Sequence, residues 1–353
     1  MTESAGEQPI LSLSEAMDRL ASPYESETLS VLSGTGALVV DLPENEGESL
    51  ATGRLESVAQ ALSELACPTI ALCASEASPA ALALLPSFDV VLERGDTLSR
   101  LLGQIHDHPL ASLALVQLLR HNAQVDVHQG LMAESWVYSV LQSGPEFQGW
   151  LAGHPPDKGV SSEVGPALLA DRDGASLRLC FNRPSRHNAF GVALRDALAE
   201  GLRLALSDSE ILEVVLCGRG PSFCSGGDLS EFGTLPDPAT AHAVRSTRNV
   251  GRLLHALGTR TRAEVHGACI GAGVELPAFV HRVSAHEETF FQLPEITLGL
   301  VPGAGGTVSL LRRIGRQRTA WLALSGERID AKTALSWGLV DEISSADTFG
   351  SER

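Results

Sequence analysis

Two glutamates stand in glycine-bearing segments of this 353-residue chain: Glu275 in Gly267-Ala-Cys-Ile-Gly-Ala-Gly-Val-Glu-Leu276, and Glu295 in Leu293-Pro-Glu-Ile-Thr-Leu-Gly-Leu-Val-Pro-Gly-Ala-Gly-Gly306. Brought to one site, two carboxyl groups can divide proton removal and proton delivery, provided their surroundings push their pKa values apart. Two further turns, Ser222-Phe-Cys-Ser-Gly-Gly-Asp-Leu229 and Gly271-Ala-Gly273, lie where an extended segment gives way to a helical one. Glycine permits close backbone approach, and the first amides of a helix have no partner inside it, so turns of this kind can hold an oxyanion. Facing each other, they would form an oxyanion hole; apart, each is only a packing turn. The two turns together with the two acids point to an enzyme.

The elements that must position these groups follow from pattern. Gly153-His-Pro-Pro-Asp-Lys-Gly-Val-Ser-Ser162 has the Gly, Pro and Ser content of a linker and divides the chain into residues 1–160 and 161–353. Downstream, Ser176–Phe181, Glu213–Leu216, Thr261–His266 and Thr289–Gln292 read as strands. Ala189–Leu206, Ile270–Val280, Gly306–Ile314 and Arg316–Leu324 read as helices. Upstream, short β-like runs at Ala37–Asp41, Thr69–Leu72 and Val90–Leu92 alternate with helical stretches at Leu55–Leu65 and Pro79–Leu85. Pro109–Trp150 then reads as almost wholly helical. There Leu110, Leu113, Ala114, Val116, Leu118 and Leu119 form an apolar face, and Trp136, Tyr138 and Val140 mark a second helix as core or subunit contact. Strands alternating with helices give an α/β fold.

Composition narrows the partners. A formal net charge of −17 disfavours a nucleic-acid or anionic-membrane surface, which needs clustered Lys and Arg, so an anionic substrate would require a local basic pocket. Six cysteines (Cys67, Cys73, Cys180, Cys217, Cys224, Cys269) form no CxxC pair and no zinc-like spacing, so reduced, buried thiols and no metal are expected. Met1–Gln8 carries no basic patch, and no run of 18 apolar residues occurs, so the chain reads as soluble and cytoplasmic.

The ordered segments Asn182-Arg-Pro-Ser-Arg-His-Asn-Ala-Phe190, Phe223-Cys-Ser-Gly-Gly-Asp-Leu229, His266-Gly-Ala-Cys-Ile-Gly-Ala-Gly-Val-Glu-Leu276, Phe291-Gln-Leu-Pro-Glu-Ile-Thr-Leu-Gly299 and Pro302-Gly-Ala-Gly-Gly306 resemble the crotonase superfamily. Leu324-Ser-Gly-Glu-Arg-Ile-Asp-Ala331 and Trp337-Gly-Leu-Val-Asp341 extend the resemblance, which covers about residues 175–345. It implies a spiral of ββα turns, assembly as a homo-oligomer (trimer or hexamer), and an acyl-CoA thioester as substrate, with coenzyme A as part of that substrate and no further cofactor. It assigns the amides of Gly227 and Ala272 to the hole that polarises the thioester carbonyl. Glu275 and Glu295 match the acid/base pair of enoyl-CoA hydratases, with Glu295 delivering the proton at Cα. Arg183, Arg186, Asn188 and Ala189 fall where the family contacts CoA. His187 and His266 read as turn residues, and Asp228 as a cap. The implied reaction is addition or removal of water across the double bond of a 2-enoyl-CoA. The alternatives are a Δ3-Δ2 enoyl-CoA isomerase, which needs one base, and a non-catalytic acyl-CoA-binding subunit.

The chain departs from the family at Ser230, where many hydratases carry Lys, at His281 in place of Asp, and at Pro277, which interrupts the helix after Glu275. It also ends at Arg353, leaving no room for the family's terminal helices. The stretch His108–Pro155 is similar to those helices. Residues 1–160 are therefore read as an accessory α/β unit ending in helices. That unit is either a degenerate crotonase-like unit supplying the helices in cis or to a neighbour, or an unrelated α/β domain.

Overall fold

Period-two alternation along short upstream strands sets how the first half packs. The computed structural model describes residues 9–42, 52–73, 78–94, 98–154, 165–234 and 237–344; Met1–Gln8 and residues 155–162 of the expected linker lie outside them. Strands β1 (Ile10–Ser12), β2 (Leu38–Leu42), β3 (Thr69–Cys73) and β4 (Val90–Glu93) form a parallel sheet in sequence order. Leu38, Val40 and Leu42 point into one apolar cluster with Met17, Leu62 and Leu84, which come from covering helices. Val39 and Ile70 point to the opposite face, against Leu101, Ile105, Leu115 and Leu119. Strands buried on both faces are what a parallel sheet requires.

That second face does not close on itself. Its cluster runs on through Phe147 into Leu198, Val265, Ile296 and Leu310 of the downstream half, so the two halves share one core. The expected helical stretch is three helices, Pro109–Asn122, Val127–Gln142 and Pro145–Gly153. Within this chain the first two of these helices pack against the Gly306–Ile314 helix of the downstream half. Trp136 and Val140 are not core: 53% and 69% of their surfaces are exposed, because positions 136, 138 and 140 do not share one helix face. The buried face of that helix is instead Gly130, Leu131, Ala133, Glu134, Ser135 and Leu141.

Downstream, the strands are β5 (Leu168–Asp173), β6 (Ser176–Phe181), β7 (Glu213–Gly218), β8 (Thr261–Val265), β9 (Ala268–Ile270), β10 (Arg282–His286), β11 (Phe290–Gln292), β12 (Ile329–Asp330) and β13 (Glu342–Ser344). They make a six-stranded sheet, β13-β10-β8-β7-β6-β5, and a smaller sheet, β12-β11-β9. Each of β8 and β10 hands its chain to the smaller sheet through a short turn, the ββα logic expected from the sequence. One expected helix is much shorter. Ile270 belongs to β9, and only Ala272–Glu275 is helical before Pro277 opens a tighter turn. The expected Ala189–Leu206 helix begins at Val192, because His187 and Asn188 take left-handed backbone conformations. Among the described residues no helix is long and apolar enough to cross a membrane.

A buried charge cluster also joins the halves. Asp89, only 1% exposed, pairs with Arg120 (2.5 Å) and with Arg316 of the downstream half (2.7 Å), and accepts from the Thr69 amide and hydroxyl. Removing one member of a buried ion cluster strands the others, at a cost of about 3–5 kcal/mol. Asp89→Ala is expected to lower the urea unfolding free energy by that amount in one cooperative transition; a separate early transition of the downstream half would contradict the shared core.

Candidate active site

One β-bridge brings the two glycine turns together. Cys224 pairs in parallel with Cys269: the Cys224 amide donates to Ala268 O (3.2 Å) and the Ile270 amide to Cys224 O (3.0 Å). The next residues stay close, since a Cβ on Gly271 would lie 3.5 Å from Gly226 Cα. Their surroundings are hydrogen-bonded: the Phe190 amide donates to Gly226 O (2.7 Å), and the Asp228 amide to Phe190 O (3.3 Å). The amides of Gly227 and Ala272 donate to none of the described residues. Both residues line a cavity of about 660 Å³, together with Glu275 and Glu295. Two unused amides thus lie beside two acids, at the place where the sequence leads one to expect an oxyanion hole.

The acids differ in how they are held. Glu275 Oε2 accepts from the amides of Ala304 (2.7 Å) and Gly306 (2.8 Å) at the start of the Gly306–Ile314 helix. Burial pushes its carboxyl up to about 7, against the pull of those two amides. Glu295 has no such support: its Oε2 is buried and finds no partner among the described residues. Burial first, and then the neighbouring Glu275, hold Glu295 well above the carboxylate range. One acid is thus equipped to carry charge near neutrality and the other to keep its proton. Glycines make room for both. A Cβ on Gly306 would sit 2.6 Å from Glu275 Cγ, and one on Gly271, whose φ is +50°, would sit 2.4 Å from Glu295 Oε1.

A third carboxylate enters from the upstream half. Glu134 Oε1 accepts from the Gly305 amide (2.7 Å), and its Oε2 from the Thr307 amide (3.0 Å) and hydroxyl (2.6 Å). Four consecutive amides, Ala304 to Thr307, therefore donate alternately to Glu275 and Glu134. Burial and then the Glu275 charge push Glu134 up to about 8, against its Thr307 and Gly305 donors. The sequence reading passed over Glu134. Its signal was a lone acid on the inner face of an otherwise apolar helix, between Leu131 and Tyr138.

The residues expected to meet CoA are mostly committed to the protein itself. Asn188 is fully buried; its amide group donates to Arg219 O (2.9 Å) and Ser222 O (2.8 Å), and its Oδ1 accepts from the Arg183 amide. Arg183 donates to Ala189 O (2.9 Å) and pairs with Asp228 (2.9 Å). None of Arg183, Arg186, Asn188 and Ala189 is among the residues lining the cavity. Arg186 keeps the most exposed side chain of the charged pair, bonded to Ser230 Oγ (3.1 Å) and close to Asp228. Asp228 caps its turn as expected, accepting from the Ser230 amide (3.2 Å) and hydroxyl (2.6 Å). His187 and His266 bond within turns, to Ser222 Oγ (2.9 Å) and Gly220 O (2.8 Å).

A sequence model of the family described as enoyl-CoA hydratase/isomerase matches residues 173–353. The chain is 37% identical over 180 residues to the 2,3-dehydroadipyl-CoA hydratase of Escherichia coli K12, a match covering 51% of this chain and 70% of the relative. It is 35% identical over 162 residues to the peroxisomal bifunctional enzyme of Danio rerio, covering 46% of this chain and 22% of that one. A solved enoyl-CoA hydratase of Mycobacterium smegmatis is 31% identical over 52% of this chain and 72% of its own, with a TM-score of 0.49. The family match begins after the helices that carry Glu134 and Tyr138.

Glu134→Ala orphans two buried amides and a hydroxyl, each costing about 1–3 kcal/mol. The substitution is expected to lower the unfolding free energy by at least about 3 kcal/mol. Amide hydrogen exchange should quicken most at Gly305 and Thr307, and in β6 and β7 only as far as the global loss of stability requires.

Proposed function

The chain belongs to the enoyl-CoA hydratase/isomerase family, and from that premise we propose that it adds water reversibly across the double bond of a 2-enoyl-CoA. The observation that carries this reading is the unequal support of two acids beside two unused amides. The thioester oxygen would accept from the Gly227 and Ala272 amides, which stabilise the enolate that forms as water adds; a donor of this kind is worth about 10²–10³ in kcat. Glu275, held as carboxylate by two amides, takes a proton from the water that attacks Cβ. Glu295, kept protonated by burial, delivers its proton to Cα, and the product is the 3-hydroxyacyl thioester. Arg186, beside Ser230, is proposed to meet the CoA phosphates in place of the lysine the family often carries there.

A homo-oligomer, trimer or hexamer, and a cytoplasmic location belong to the same proposal. The exposed Trp136 and Val140 support the first, and six unpaired cysteines support the second. No metal or redox group is proposed for the reaction.

Purified protein mixed with a 2-enoyl-CoA should lose the enoyl-thioester absorbance, and Glu275→Gln and Glu295→Gln should each lower kcat by about 10²–10⁴. An enzyme that fails with Glu295→Gln but keeps most of its rate with Glu275→Gln would be the single-base isomerase instead.

The sign of the pH dependence follows from the two acids. Below about 7 Glu275 is protonated and cannot act as base, so kcat/KM should rise as pH climbs through that value. At higher pH Glu295 loses the proton it must deliver, and the rate should fall. The two limbs belong to the coupled carboxylates jointly. A pH–rate profile that only falls between pH 6 and 8 would reverse this assignment.

A further inference from the structure

One cation of the cavity, Arg245, has no ion-pair partner among the described residues. Arg245, on the Pro238–Thr247 helix, lines the same cavity as the two glutamates. Its Nε donates to Ser135 Oγ (3.0 Å), Nη2 to Ser139 Oγ (2.6 Å) and Ser135 O (3.3 Å), and Nη1 to Gln142 Oε1 (3.4 Å). Every one of these acceptors is neutral. Among the described residues no carboxylate lies within ion-pair distance of it. The nearby cavity arginines are different, since Arg195 pairs with Asp196 (2.9 Å), and Arg248 with Asp196 (3.4 Å) and Glu200 (3.6 Å).

The surroundings of Arg245 are built rather than incidental. Ser135, Tyr138, Ser139 and Gln142 lie three and four residues apart and so share one helix face. The Arg245 guanidinium sits over the Tyr138 ring, 4.8 Å from its centroid. The far side of that ring packs toward Gly303, where an added Cβ would come within 2.4 Å of it. Tyr138 therefore stands between the guanidinium and the loop that holds Glu275. Its hydroxyl bonds to none of the described residues, although the side chain lines the cavity. The opposite wall is apolar, with Phe147 and Phe232 centroids 6.3 Å apart and Leu151 beside them. Glu134 is the acid whose charge reaches Arg245, and it is itself pushed up to about 8, so it offers little negative charge near neutrality.

An unneutralised guanidinium in a partly buried cavity is costly unless a ligand completes it, and with four of its five N–H groups engaged, one N–H on Nη1 and the uncompensated positive charge remain for a carboxylate oxygen. We propose that Arg245, assisted by the Tyr138 hydroxyl, binds a carboxylate at the far end of the acyl chain, so that the substrate class is an ω-carboxy-2-enoyl-CoA. The inference rests on the hydratase reading above, because it names the acyl group of that same site. Arg245 thus supplies the local positive charge for the acyl end of the substrate, apart from Arg186 at the CoA end.

The test compares three 2-enoyl-CoA esters of equal length ending in carboxylate, carboxamide and methyl, with the full chain and with Arg245→Met and Arg245→Lys. The wild type should favour the carboxylate ester over both others by about tenfold to a hundredfold in kcat/KM, the range of a charge-assisted hydrogen bond. Arg245→Met should bring the carboxylate-to-methyl ratio close to one, and Arg245→Lys should restore part of it. A wild type that treats the three alike, or an Arg245→Met variant that keeps the ratio, overturns the proposal. Loss of all three activities with Arg245→Met, without partial recovery of the ratio by Arg245→Lys, also overturns it, since the residue would then only pin two helices together. Calorimetric binding of the saturated carboxy-terminated and methyl-terminated acyl-CoA esters separates this from the reaction itself. If no ester is hydrated yet the carboxylate form binds more tightly and Arg245→Met removes the difference, the hydratase reading fails and the acyl assignment stands.

Discussion

Four successive amides at the head of one helix govern this molecule. Ala304 and Gly306 turn toward Glu275, and Gly305 and Thr307 toward Glu134, so one turn of backbone satisfies two buried carboxyls that come from opposite halves of the chain. The amides are unpaired by necessity, because a helix leaves its first N–H groups without internal acceptors. Their dipoles favour negative charge at that end. The same donors that fasten the upstream helices to the core thus set the orientation of the acid that lines the cavity. Both carboxyls depend on one set of hydrogen bonds, and the approach of Glu275 leaves Gly306 space for no side chain.

Much of the site could be read from the sequence because its parts are local. Glycine turns announce backbone that must approach something closely, and the two acids lie within segments that end at such turns. The strands of the downstream half follow their apolar patterns to within two residues at Ser176–Phe181, Glu213–Gly218 and Phe290–Gln292. Where the reading failed, distance was the reason. Glu134 gains its meaning from a loop 171 residues further along, and no periodicity in its own helix could have revealed the partner. Arg245 lies on Pro238–Thr247, a helix that the apolar pattern did not mark and that packs on the distant Val127–Gln142. Of the Trp136, Tyr138 and Val140 group, expected as core or subunit contact, Trp136 and Val140 are not core. Four residues apart, they share one exposed helix face, while Tyr138 turns toward the cavity.

The CoA-facing expectation shows a limit of motif transfer of a different kind. Asn188 and Arg183 do hold the turn that the motif marks, but by bonding to backbone carbonyls and to Asp228 rather than by facing a ligand. A motif records which residues a geometry needs. Some of them are needed to hold backbone in place, and this network holds Asp228, the residue that follows Gly227.

The separation between Glu134 and Gly305 also bears on how the chain is made. A protein emerges from the ribosome from its first residue onward, and early segments can begin to fold before later ones exist. In this chain the Val127–Gln142 helix, with its acid and its tyrosine, is complete well before the loop it will grip has been translated. The clamp therefore precedes the part it clamps. Until then the upstream surface that faces the downstream half has nothing to close against, so Glu134 and its apolar neighbours must wait for the loop before the shared core can form.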